Sequence, residues 1–230
     1  MASRTIENYL KQLWLEQQDT RGKYVPMGKL ATLVGVTAGT ATTMVKAIAD
    51  SGLAKYAPRA GARLTRAGEQ LALHVLRRHR LLELFLVEIL GIDWSDAHAE
   101  AEELEHVISE TVLARIDLLL GHPSVDPHGD PIPSSAGKLE APELCSLAEL
   151  QTGNATMIAR IVDQSSEFLR FAQSSGLVPK AHVVIEHTNP QAGAISARPD
   201  GKEPVMLSMV AAAKFLVRPC TATRAKRRNK

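Results

Sequence analysis

The strongest constraint on the fold lies between residues 25 and 65. "VPMGKLATLVGV" puts Pro26 near a helix start and Gly35 at its stop, which predicts one short helix. "TAGTATTMVKAIADSGL" follows directly. Thr37 is a good N-cap, Met44, Val45 and Ile48 form an apolar stripe, and Gly52 ends the helix. Two short helices around a glycine turn, the second opening in small hydroxyl residues, make a helix-turn-helix. "LAKYAPRAGARLT" then reads as two short strands around a Pro-Arg-Ala-Gly turn, the shape of a basic wing. A further helix is predicted in front, over residues 5–18, with Ile6, Tyr9, Leu10 and Leu13 at helical spacing and Trp14 packed beside them. Three helices and then a hairpin predict a winged helix-turn-helix over residues 1–73.

Beyond it, "LALHVLRRHRLLELFLVEILG" predicts a long helix from about residue 68 to Gly91, apolar around most of its circumference and in need of partners on several sides. Another helix is expected to start near Ser95 and run on through "VISETVLARIDLLLG". "HPSVDPHGDPIPSSAGKLEAPE" is rich in proline and reads as a linker. From about Leu144 the character changes. "ATMIARIVD", "HVVIEHT", "AISARP" and "PVMLSM" are short β-like runs, broken by one helical turn near "SSEFLRFAQSSG", a pattern suited to a small barrel. The predicted class is mainly α with a small β domain. Its parts are a winged helix-turn-helix (1–73), a helical domain (74–140), a small barrel domain (141–222) and a basic, disordered tail (223–230).

Charge is unevenly spread. Residues 1–73 carry a surplus of five positive charges, 74–140 a deficit of eight, and 141–230 again a surplus of five. The N-terminal part suits a polyanion and the acidic middle a cation. No basic-then-apolar leader opens the sequence, and the apolar run "LLELFLVEIL" is short and interrupted by Glu83 and Glu88. The two cysteines, Cys145 and Cys220, have neither metal nor redox spacing. A cytoplasmic protein with no membrane partner is expected.

The acidic surplus is concentrated in "HAEAEELEH", residues 98–106, which holds four glutamates between two histidines and no Lys or Arg. On a helix, His98, Glu102, Glu105 and His106 fall within an arc of roughly 100°. His79 and Glu83 are likewise stacked, four apart, on the preceding helix. Unpaired carboxylates this close raise one another's pKa, and a divalent ion would remove the repulsion. Imidazole and carboxylate without thiolate suit Mn(II) or Fe(II) better than Cu(I) or structural zinc. Glu100 and Glu103 lie off the arc and read as solvated; His74, His122, His128, His182 and His187 have no ligand partners nearby in sequence.

In order, "TAGTATTMVKAIADSGL", "RRHRLLELFL", "HAEAEELEHVIS" and "PHGDPIP" resemble the diphtheria toxin repressor family of metal-dependent transcriptional regulators, in particular its manganese transport regulator-like branch. The resemblance spans about the first 135 residues, and the C-terminal part looks like that family's SH3-like (FeoA-like) domain. It implies a helical metal-binding and dimerisation domain with two sites. One would use His79, Glu83 and His98, with Gln164 and Glu167 as additional ligands from the SH3-like domain. The other would use Glu102, Glu105 and His106 with Asn8 from the first helix. Iron-type members have Cys at the position of Glu102 and Met at that of Asn8; manganese-type members have Glu and Asp. An oxygen donor at Glu102 favours Mn(II) over Fe(II), while the neutral amide of Asn8 gives up a charge.

The resemblance further implies a homodimer that binds double-stranded operator DNA and represses metal-uptake genes, with no small-molecule substrate. Ion binding would tie the first helix to the acidic helix and hold two recognition helices near one DNA turn apart; without it the acids would repel and the domains swing. Thr37, Gly39, Thr40 and Thr43 are the positions the family uses at the DNA surface. Lys46 on that helix and Lys55, Arg59 and Arg63 on the wing are candidate phosphate contacts. Two other readings are an enzyme with a carboxylate-bridged di-metal helical bundle, which needs two Glu-x-x-His motifs where one occurs, and a winged-helix sensor of a small molecule or redox state.

Overall fold

The computed structural model describes residues 3–19, 23–189 and 191–218. The predicted tail 223–230 and Cys220 lie outside them. The chain divides into two compact units. One comprises Met1–Ile89, Ala99–Ser124 and Pro131–Glu140; the other comprises Leu90–His98, Val125–Asp130 and Ala141–Lys230.

The first unit opens with α1 (Arg4–Asp19), α2 (Met27–Leu33) and α3 (Ala38–Asp50), then the hairpin β1 (Ala54–Ala57) and β2 (Gly61–Leu64). Thr37 caps α3, its hydroxyl accepting from Thr40 N at 3.2 Å, as a short hydroxyl does at a helix start. Tyr9, Leu10, Leu13 and Trp14 of α1 pack with Leu30, Val45, Ile48, Leu64 and Leu76 into one core. The wing is fixed at its base. Val25 and Ala62 exchange backbone hydrogen bonds of 2.7 and 3.0 Å, and Gly61 adopts φ +114° beside them.

Thr65 caps α4 (Arg66–Glu88), which runs unbroken past residue 73. The single helix expected from Ser95 onward is two: α5 (Ala97–Leu104) and α6 (Glu110–Leu119). Ser109 makes the break by accepting from Val112 N at 3.3 Å and starting a new helix, although the apolar spacing carries on through it. The proline-rich stretch is not a free linker either. Arg77 and Arg80 donate to the carbonyls of Pro133 and Pro131, and Ile132 packs on Leu81 and Leu113 in a second small core.

In the second unit β3 (Cys145–Ser146), β4 (Ala155–Ile161), β5 (His182–Asn189), β6 (Ala194–Pro199), β7 (Val205–Ser208) and β8 (Phe215–Val217) form an antiparallel sheet in the order β3-β8-β4-β5-β6-β7. The expected single helical turn is a ten-residue helix, α7 (Ser166–Ser175), closed by Gly176 in the left-handed region. A short helix, α8 (Met209–Ala212), precedes β8. Among the described residues no single helix is long and apolar enough to cross a membrane.

A Cβ at Gly61 would stand 1.9 Å from Val25 O, on a φ that disfavours any side chain. Gly61→Ala should therefore destabilise the wing by about 3 kcal/mol, seen as a lower urea midpoint. An unchanged midpoint would show that the wing base is not held this way.

Candidate metal centre and DNA-binding face

Three helices of the first unit bring the candidate ligands together. On α1, Glu7 and Lys11 are buried about one turn apart on the stripe that leads to the buried Trp14, and Asn8 is half-buried beside Glu7. On α4, His79 and Glu83 are stacked, with His79 Nε2 3.0 Å from Glu83 Oε1. Glu102, Glu105 and His106 stand at the end of α5, the last two just past its final turn. His79 Nδ1 is 2.7 Å from Glu105 Oε2, and one ligand atom each from His79, Glu102 and Glu105 lie within 4.8 Å of one another. His79 thus joins a residue of one implied ligand set, Glu83, to one of the other, Glu105.

The acids here are not unpaired. Lys11 Nζ donates to Glu102 Oε1 at 2.6 Å and to Glu105 Oε1 at 2.7 Å, and its side chain is 3 % exposed. Glu7 accepts from Arg78 at 3.0 Å and lies 2.7 Å from His106 Nδ1. Arg4 forks onto Glu103 at 2.6 and 2.9 Å, so Glu103 is paired with α1 as well as solvated. The expectation that these carboxylates are unpaired is corrected by these contacts. The compensating cations come from α1 and α4, and no inspection of residues 98–106 reveals them. The signal was present in α1: Glu7 and Lys11 fall on the helical stripe that leads to Trp14, where a polar residue faces inward.

Ionisation follows from the pairing. Burial opposes charge on His79, but the negative charge of Glu83 and the hydrogen bonds to Glu105 and Glu83 outweigh it and push its pKa up to about 9. Burial likewise opposes charge on Glu105, yet the bonds and charges of His79 and Lys11 hold its carboxyl below the usual range.

The donors present fit a divalent cation. Asn8 Oδ1 is buried without a hydrogen-bond partner, and so is His106 Nε2, which stands 3.2 Å from Glu105 Oε1 but is not aligned to bond it. The ligand atoms that lie within 4.8 Å of one another are those of His79, Glu102 and Glu105, with His106 beside them through Glu105; imidazole and carboxylate without thiolate suit a first-row dication of intermediate hardness. His98 opens α5 and is half-buried. In the second unit Gln164 donates to Asp130 Oδ2 at 2.6 Å, and Glu167 is exposed on the first turn of α7. His128, read in sequence as lacking partners, is fully buried, its Nε2 3.0 Å from Trp94 O and its ring stacked on Trp94.

On the opposite job, α3 leaves Thr37, Gly39, Thr40, Thr43 and Lys46 exposed. Lys46 lies over the Tyr56 ring at 5.7 Å, and Thr43 bonds the Gly39 carbonyl at 3.1 Å. Lys55 and Arg59 are exposed on the wing, whereas Arg63 is half-buried with its guanidinium over Tyr24 at 5.3 Å. Arg63 is thereby held by packing as much as offered to solvent.

Residues 1–62 match the family described as "Iron dependent repressor, N-terminal DNA binding domain", and residues 65–134 match "Iron dependent repressor, metal binding and dimerisation domain". The chain is 33 % identical over 199 residues to the iron-dependent repressor IdeR of Mycobacterium tuberculosis, covering 80 % of this chain and 84 % of that protein. This chain belongs to the iron-dependent repressor family. It is a metal-dependent transcriptional repressor and not an enzyme. The diphtheria toxin repressor of Corynebacterium diphtheriae is 29 % identical over 169 residues, which cover 72 % of this chain and 69 % of that one. Among solved structures, a manganese-dependent transcriptional repressor in complex with manganese superposes with a TM-score of 0.82 at 36 % identity, covering 92 % of this chain and 98 % of that one. ScaR with bound Cd2+ does so with a TM-score of 0.76 at 28 % identity, covering 92 % and 98 %. The C-terminal antiparallel sheet domain agrees with this fold family.

Linkage gives His79 a definite sign. A folded-state pKa of about 9 against an ordinary 6.5 means its ion pairs stabilise fully below about pH 6.5 and are lost as pH rises towards 9. Chelator-treated repressor should unfold at progressively lower urea as pH is raised from 6.5 past 9, and His79→Gln should flatten that slope. A wild-type midpoint constant over this range would contradict the pairing described.

Proposed function

We propose that this repressor responds to Mn(II) in preference to Fe(II), binding operator DNA as a homodimer and silencing metal-uptake genes. The observation that carries the choice of metal is the carboxylate oxygen at Glu102, in contact distance of the same ammonium as Glu105. A hard oxygen donor where a thiolate would suit a softer ion moves preference towards manganese. Similarity to a repressor solved with manganese supports this reading. The iron-dependent relatives support the runner-up, Fe(II), to which the neutral Asn8 is no obstacle.

Glu102, Glu105 and His106 with Asn8 are the proposed primary ligands; His79 and Glu83, with the His98, Gln164 and Glu167 that the family resemblance implies, are the second set. Asn8 on α1, Glu102 on α5, and Glu105 and His106 just after it would hold the dication, which would supply the positive charge these donors share. The chain's own residues do the rest. Asn8 reports from α1, Thr65 carries α4 directly into the wing, and α3 presents short hydroxyl side chains suited to shape fit and phosphate bonds. Lys46, Lys55, Arg59 and Arg63 supply the phosphate-facing charge.

A gel-shift with a candidate promoter across Mn(II), Fe(II) and Zn(II) tests the reading. Retention should vanish with chelator and return with Mn(II), and Glu102→Cys should move the ranking away from manganese. Retention indifferent to chelator would refute metal control; an unchanged ranking in Glu102→Cys would refute the assignment of selectivity. Arg59→Ala should weaken binding several-fold and lower the slope of affinity against salt by about one, checked by titrating salt.

A further inference from the structure

Lys11 sits between two of the proposed primary ligands, Glu102 and Glu105. Its ammonium is 2.6 Å from Glu102 Oε1 and 2.7 Å from Glu105 Oε1, in a pocket where Lys11 is 3 % exposed and Glu105 fully buried. An ammonium at this distance takes one lone pair on each of these oxygens and stands beside the two carboxylates that a metal ion would approach. Two cations crowded onto the same oxygens would also repel strongly in a poorly solvated site. The neighbouring charges leave no slack, since Glu7 already faces Arg78 and His106, and Glu105 faces His79. At the same time the ammonium leaves the pocket half satisfied. His106, its side chain 4 % exposed, has Nε2 without a hydrogen bond, and Asn8 Oδ1 has none either. Lys11 serves two of the four proposed donors and leaves the other two without a bond.

We propose that Lys11 is a tethered counter-ion that competes with the divalent cation for Glu102 and Glu105, so that ejecting this ammonium sets the metal concentration at which the repressor responds. The inference rests on the reading of Asn8, Glu102, Glu105 and His106 as a metal site. Lysine suits the task because its compact charge rides on a flexible four-carbon stem that can withdraw. In the metal-free protein Lys11 keeps α1 against the end of α5, and the switch exchanges one cationic bridge for another.

The test measures Mn(II) binding by the full chain at fixed pH and ionic strength, from the loss of the free-ion paramagnetic resonance signal. Melting midpoints with chelator and with Mn(II) accompany it. Lys11→Met should bind Mn(II) about tenfold tighter, melt lower than wild type in chelator and gain more on adding the ion. Lys11→Arg, a firmer bidentate competitor, should bind more weakly than wild type, and its affinity decides between the outcomes if Lys11→Met does not fold without metal. Equal or weaker affinity in a folded Lys11→Met, or unaltered affinity in Lys11→Arg, overturns the proposal while leaving the site assignment standing. Absence of Mn(II) binding by the wild type overturns both.

Discussion

Three buried or half-buried carboxylates, Glu7, Glu102 and Glu105, must have positive charge beside them, and the arrangement of the first unit depends on where it comes from. Leaving a buried carboxylate unpaired costs several kcal/mol, more than any one apolar contact returns. The structure meets the demand with Lys11, Arg78 and a protonated His79, each drawn from a helix other than that of at least one acid it serves. The apolar core of Leu10, Leu13 and Trp14 holds α1 against the winged helix, but apolar contact is non-directional and sets no register. The charge pairs set it, because sliding α1 by one residue would break the contacts of Arg4, Glu7 and Lys11 together.

Local signals were legible in the sequence. The glycine turn and the Thr37 cap marked the recognition helix, the Pro-Arg-Ala-Gly turn marked the wing, and the β runs after residue 144 marked four of the six sheet strands. Errors arose where two signals competed. Apolar spacing ran on through Ser109, whose hydroxyl won as a cap and split the helix. Prolines between residues 122 and 143 looked like punctuation, yet their carbonyls are acceptors for arginines of α4. Of the site, the clustering of Glu102, Glu105 and His106 and the stacking of His79 on Glu83 followed from helical spacing. The inward-facing stripe of Lys11 and Glu7 was visible too, but their pairing was not, because the partners lie 71 to 99 residues away and only the tertiary fold brings them together.

His79 has a further role in the design. With Glu83 on one ring nitrogen and Glu105 on the other, it cannot answer to one ligand set without altering the other. The charge and tilt of this single ring therefore bear on Glu83 and Glu105 together. This coupling needs no motion of the backbone and acts over a few ångströms.

The length of α4 carries that local event outward. Its 23 residues make a rod of roughly 34 Å, and about 20 Å separate the level of His79 from the Thr65 end, where the wing begins. A helix capped at Thr65 and unbroken to Glu88 carries any tilt at one end to the other. A tilt of about 5° at the level of His79 sweeps the wing through nearly 2 Å, a displacement comparable to the tolerance of a hydrogen bond to a phosphate oxygen. The span of one uninterrupted helix thus means that a small angular difference at the level of His79 becomes an ångström-scale difference in where the hairpin stands.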